Sequence, residues 1–167
     1  DTVNERASRL IVNGKDEAQF DPNGMVTRAE FAAMLDRAIG LGEYQKAPSF
    51  TDVTDSAWYH DAVAIAKENG LISGFEDNTF RPNGQITREE AMVMIAQAMK
   101  LAGKSPNLTS NQVESTLSRF QDGTDVSTWA KEAVAACIQS TVVVGSNNEL
   151  HSKDQLTRAE AATMLMP

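Results

Sequence analysis

Thr27-Arg28-Ala29-Glu30, Thr87-Arg88-Glu89-Glu90 and Thr157-Arg158-Ala159-Glu160 spell one four-residue phrase three times in a chain of 167 residues, 60 residues apart and then 70. Each copy opens an apolar run of helical period. Self-similarity at this interval marks repeated supersecondary units stacked on one another. Thr followed three positions later by Glu is a capping box, which stabilises a helix start. The Arg between them puts positive charge at the positive end of the helix dipole, at a cost of up to about 1 kcal/mol unless something offsets it. An Arg written three times into so poor a position points to a duty other than helix stability.

Working outward from the phrase, the first two copies share a register. Gly14 aligns with Gly74, Phe20 with Phe80, and Pro22-Asn23-Gly24 with Pro82-Asn83-Gly84. Downstream, Met34 and Leu35 align with Met94 and Ile95, and the third copy continues with Met164 and Leu165. Phe31, Met34, Leu35 and Ala38, like Ala91, Ile95, Ala98 and Met99, recur at the spacing of one apolar helix face. These three helices are expected to form a shared core. A second helix is expected upstream of each loop, with Trp58, Ala62, Ile65 and Ala66 on one face and Gly70 as a left-handed stop. Repeat 3 reproduces it with Trp129, Ala133, Val134 and Cys137, which places Cys137 in a small-residue core position as an inert thiol. The segment 73–84 is rich in turn residues and carries two aromatic anchors, so a compact loop with one short strand pair is predicted. The expected fold is all-α, in three repeats spanning 1–42, 43–104 and 105–167, the first incomplete at its start.

Composition narrows the function. The hydrophobic fraction of 41% and charged fraction of 23% are globular values, and a net charge of −8 without a basic run argues against nucleic acid. The single Cys137 excludes an intrachain disulfide. No apolar run approaches the roughly 18–20 residues that span a bilayer, so a membrane is not an expected partner. The start at Asp1, with neither Met nor a signal-like segment, reads as a processed or trimmed piece of something longer. Glu30, Glu90 and Glu160 are read as capping partners rather than catalytic acids. A glycosidase or other wall-active enzyme fragment, the alternative reading, needs two facing carboxylates at about 5–10 Å, and no unique pair stands out. Asp21-Pro22-Asn23-Gly24 superficially suggests a calcium loop, but an EF-hand puts Gly sixth and Glu twelfth, where this chain has Gly fourth and Ala32 twelfth. His60 and His151 share neither repeat position nor metal spacing, so no metal, catalytic residue or cofactor is expected.

Phe50-Thr51-Asp52-Val53, Trp58-Tyr59, Gly70-Leu71-Ile72-Ser73-Gly74-Phe75, Phe80-Arg81-Pro82-Asn83-Gly84 and Ile86-Thr87-Arg88-Glu89-Glu90 together resemble the S-layer homology motif. The resemblance covers nearly all of repeat 2, most of repeat 3, and repeat 1 from about Ile11 onward. It implies a pseudo-threefold helical assembly around a shared core that anchors its host noncovalently to the wall of a Gram-positive-type bacterium, in a secreted or S-layer setting. The implied partner is a pyruvylated secondary cell-wall polysaccharide attached to peptidoglycan, of the pyruvyl-ketal N-acetylmannosamine type, held in grooves between repeats. Self-assembly through domains outside this chain is compatible with that role.

In that family the Arg of the phrase contributes to the polymer site, which nominates Arg28, Arg88 and Arg158. A guanidinium beside free helix N–H groups suits a planar carboxylate. Gly14, Gly74 and Gly145 serve turn geometry or let a sugar approach the backbone. Asp52 and Asp122 are read first as helix or turn caps and second as hydrogen-bond partners of sugar hydroxyls. Trp58 and Trp129 either fill the space between helices, the slightly stronger reading, or stack on a sugar face. Repeat 3 departs from the pattern: Gly123 stands where repeat 2 has Val53, Leu150 replaces Phe80, and the Pro-Asn-Gly turn is gone. Sites built on Arg28 and Arg88 are therefore expected to be better than one built on Arg158.

Overall fold

In the computed structural model, residues 21–46 and 50–165 are described. They form α1 (Arg28–Ala38), α2 (His60–Glu68), α3 (Arg88–Leu101), α4 (Ser110–Leu117), α5 (Lys131–Gln139) and α6 (Arg158–Leu165), with 3-10 turns at Gly123–Asp125 and Thr128–Ala130. The chain is mainly helical, with no strand among the described residues. Gly14 and Phe20 lie outside them.

The repeated phrase starts a helix each time. Thr27 Oγ1 accepts the Glu30 amide at 3.1 Å while the Glu30 carboxylate accepts the Thr27 amide at 3.2 Å. Thr87 and Glu90 make the same exchange at 3.3 and 3.1 Å, and Thr157 and Glu160 at 3.1 and 3.0 Å. At the other ends, Gly40, Gly70 and Gly103 take the left-handed conformation, and Leu71 N–H closes α2 onto the Ala66 carbonyl at 2.9 Å. α5 ends differently: Thr141 holds φ 58° where repeat 2 has Gly70.

The described residues fall into two units, each with its own core. The first comprises residues 21–46, 50–86 and 156–165. Here α1 is buried from Ala29 to Asp36 and packs against α2 and α6. Phe31, Met34, Leu35, Val63, Ala66, Leu71 and Phe80 fill the interior, each large side chain contributing about 1.5–3 kcal/mol by leaving water. Ala38, expected on the core face, is exposed, because α1 ends there. In the upstream helix Ile65 and Ala66 are buried as expected, together with Val63 and Ala64, while Ala62 is half-buried and the stripe is not led by Trp58. Trp58 precedes the helix and is 42% exposed.

The second unit is Thr87–Gln155. In it α5 packs against both α3 and α4, burying Met92, Ile95, Val113, Leu117, Val134 and Cys137. The Cys137 thiol donates toward the Met92 carbonyl at 3.5 Å, and burial pushes its pKa up to about 12. Gly123 replaces Val53 for a steric reason: a Cβ there would collide with the Leu117 carbonyl at the end of α4. Leu150 is fully buried, as Phe80 is, so the core position survives the exchange.

The expected strand pair does not form. Pairing reduces to the isolated bridges Met25–Thr157 and Thr27–Gln85 in the first unit, and Thr87–Gln155 and Ser146–Glu149 in the second. Left-handed residues interrupt each loop, Asn78 and Arg81 in repeat 2 and Asn147, Asn148 and His151 in repeat 3. A strand needs a run of extended backbone, and none is left between them.

Candidate functional site

Each helix start meets a loop through its backbone. Arg28 N–H donates to the Gly84 carbonyl at 2.8 Å and Ala29 N–H to Pro82 at 2.9 Å. Arg88 and Glu89 do the same to Asp154 and Ser152 at 2.9 and 2.8 Å, and Arg158 and Ala159 to Gly24 and Pro22, both at 3.0 Å. With the third amide held by the capping Thr, the first three donors of each helix are occupied. This corrects the expectation of free helix N–H groups beside the Arg. Any anion here must be met by side chains.

The three Arg side chains differ. Half-buried Arg28 donates from Nε to the Phe80 carbonyl at 2.9 Å, and its guanidinium lies 4.8 Å from the Phe75 ring centre and 5.0 Å from that of Phe80. Arg81 lies over the same Phe75 ring at 3.7 Å. Two cations thus lie against one ring, each gaining roughly 0.5–2 kcal/mol from its quadrupole, and Arg81 also stands 3.7 Å from the Asp77 carboxylate. Arg88, also half-buried, donates from Nε to the Leu150 carbonyl at 3.0 Å. Arg158 is only 9% exposed, and its Nη2 donates to Glu30 Oε2 at 3.0 Å. That pair neutralises the third guanidinium inside the first unit. At Gly24, Arg158 Nη1 occupies the place a Cβ would take. These contacts supply the offset that the helix dipole demands of each Arg.

Asp52 and Asp122 cap loops rather than helices. The Asp52 oxygens accept the Phe80 and Arg81 amides at 2.9 and 2.8 Å, and those of Asp122 accept Leu150 and His151, both at 2.8 Å. Burial pushes the Asp122 carboxyl up, but the Leu150 and His151 amides outweigh it and hold the group below its ordinary value. Gly74 and Gly145 have φ 77° and 78°. Their missing Cβ volume is filled from within, by Phe50 at Gly74 and by Phe120 at Gly145. Trp129 is 64% exposed; like Trp58 it is no core residue, so packing between helices does not account for either ring.

Sequence reasoning passed over Phe75 and Arg81. Both stand in the quoted repeat 2 motif, and the signal was available: repeat 3 has Ser146 and His151 in their places, so neither is required by the loop's construction.

Among the described residues, no helix is long and apolar enough to cross a membrane. Residues 1–32, 49–92 and 119–162 match the S-layer homology domain. The chain is 37% identical over 99% of its length to an amylopullulanase of Thermoanaerobacterium thermosulfurigenes, covering 9% of that protein. It is 32% identical over 92% of its length to the surface-layer 125 kDa protein of Lysinibacillus sphaericus, covering 12% of it. It is 31% identical over 99% of its length to the S-layer protein sap of Bacillus anthracis, covering 19% of it. The chain therefore spans less than a fifth of the length of these relatives.

Proposed function

This chain belongs to the S-layer homology domain family, and we propose that it anchors its host protein by holding a pyruvylated secondary cell-wall polysaccharide. S-layer homology domains attach proteins to cell-wall polymers, and the relatives place this one at the cell surface. The finer reading is that the pyruvyl carboxylate is met by Arg28. The observation that carries it is the Arg28–Phe75–Arg81 cluster: two guanidinium groups lie 4.8 and 3.7 Å from one ring centre, and each is a planar, bidentate partner for a carboxylate on an otherwise neutral sugar. Local complementarity of this kind suffices despite the net charge of −8. Arg88 is a second contact point. Arg158 is the poorest, since it is the most buried of the three. Exposed Trp58 and Trp129 suit stacking on sugar faces, while Asp52, Asp122, Gly74 and Gly145 shape the loops. A pseudo-threefold arrangement of the repeats belongs to the same proposal, supported by the common form of the three helix-to-loop contacts.

A non-enzymatic role is part of this reading. The repeated carboxylates all serve as caps, and Glu30 also pairs with Arg158. The test is a pull-down on native sacculi and on sacculi stripped of pyruvate. The chain is expected to sediment with the first only; equal binding to both would overturn the carboxylate reading. Arg28→Ala with Arg88→Ala is expected to abolish most binding while the far-ultraviolet CD stays helical, and full binding would move the site elsewhere.

A further inference from the structure

We propose that the repeat 3 loop binds a divalent transition-metal ion of the zinc class through Asp122, Glu149 and His151. Asn147 and Asn148, at φ 53° and 63°, make a tight turn that joins Ser146 to Glu149, and these two exchange backbone hydrogen bonds at 2.9 Å. Leu150 is fully buried, while Glu149 on one side of it is half-buried and His151 on the other is exposed. Asp122 reaches the same place from the preceding segment, pinned by the Leu150 and His151 amides. One ligand atom from each of the three residues lies within 4.8 Å of the others. His151 Nε2 stands 3.2 Å from Glu149 Oε2, close to the roughly 3.3 Å between two ligands on a tetrahedral ion with bonds near 2.0–2.1 Å. Asp154 Oδ2, 3.6 Å from His151 Nδ1, is placed to orient the ring through its other nitrogen.

One imidazole, two carboxylates and an open fourth position favour zinc over calcium or magnesium, which prefer all-oxygen sets. The backbone clamp does not explain Glu149 and His151. Repeat 2 builds the same clamp from Asp52 with Thr79 and Arg81 in those places. Repeat 3 carries ligating side chains at both. The Leu150 carbonyl between them accepts from Arg88, so a bound ion would also tether the loop that holds Arg88.

Titration calorimetry of the tag-free 167-residue chain with zinc chloride near neutral pH tests this. One zinc ion per chain is expected, with affinity falling about tenfold or more in both Glu149→Gln and His151→Gln, the scale on which lost metal partners are felt. Both variants should keep the parent CD spectrum, and His60→Gln should bind as the parent does. Absence of zinc binding, affinity unchanged in both loop variants, or equal competition by calcium chloride would each overturn the assignment.

Discussion

Arg158 and Glu30 are two charges taken almost completely out of water, with side chains 11% and 6% exposed. Removing one partner of such a pair strands the other, at about 3–5 kcal/mol. Arg158→Ala is therefore expected to lower unfolding stability by about 3 kcal/mol. Glu30 also caps α1, so Glu30→Gln keeps the cap while removing the stranded charge. Urea unfolding of the double variant should recover part of the loss; additive losses would show that the two side chains are not coupled. The sequence ranked Arg158 behind Arg28 and Arg88 without sight of its contacts. The sequence argument rested on the degraded loop of repeat 3, whereas Arg158 meets the turn of repeat 1. Its partner lies 128 residues away, a pairing that local pattern cannot announce.

At the scale of elements, the capping boxes, the glycine stop at Gly70 and the inert position of Cys137 were all readable, because each depends on residues within one turn of helix. With its thiol buried and its pKa pushed up to about 12, Cys137 should resist a thiol reagent such as DTNB in the native chain and react promptly in urea. Rapid native labelling would contradict the packing of α3 on α5. The strand pair failed because left-handed Asn and Arg residues are not marked in sequence as glycine is. Thr141 shows the same blindness. A β-branched residue at φ 58° ends α5 where repeat 2 has Gly70, and such a conformation costs roughly 1–2 kcal/mol. Thr141→Gly is expected to raise stability by about 1 kcal/mol, less whatever its hydroxyl gains from the Ser140 carbonyl. An unchanged or lower denaturation midpoint would count against a strained cap. The sequence reading gave His151 no metal role, because Asp122 and His151 meet only through the loop clamp.

For the whole molecule, the pH dependence of stability turns on Asp36. It lies in the buried stretch of α1, both its carboxylate oxygens lack a hydrogen-bond partner, and burial pushes its pKa from 3.8 up to about 8. An unfolded chain releases this proton near pH 4, while the folded chain keeps it until about pH 8. Folding therefore takes up a proton between those limits, and stability falls as pH rises through that window. Asp61, Asp77 and Asp122 act in the opposite sense. Hydrogen bonds hold their carboxyls below the ordinary value, so their contribution is present above that range and is lost as pH falls through it. The stability maximum should accordingly lie on the acid side of neutrality, and self-repulsion from a net charge of −8 pushes it the same way. Ala96 stands at the register position of Asp36 in repeat 2, where the helix is equally buried. Asp36→Ala is thus expected to add about 2–4 kcal/mol at pH 8, little or nothing at pH 4, and to flatten the profile between. Urea midpoints at three pH values decide it: parallel profiles for parent and variant would mean that Asp36 is not the group that titrates.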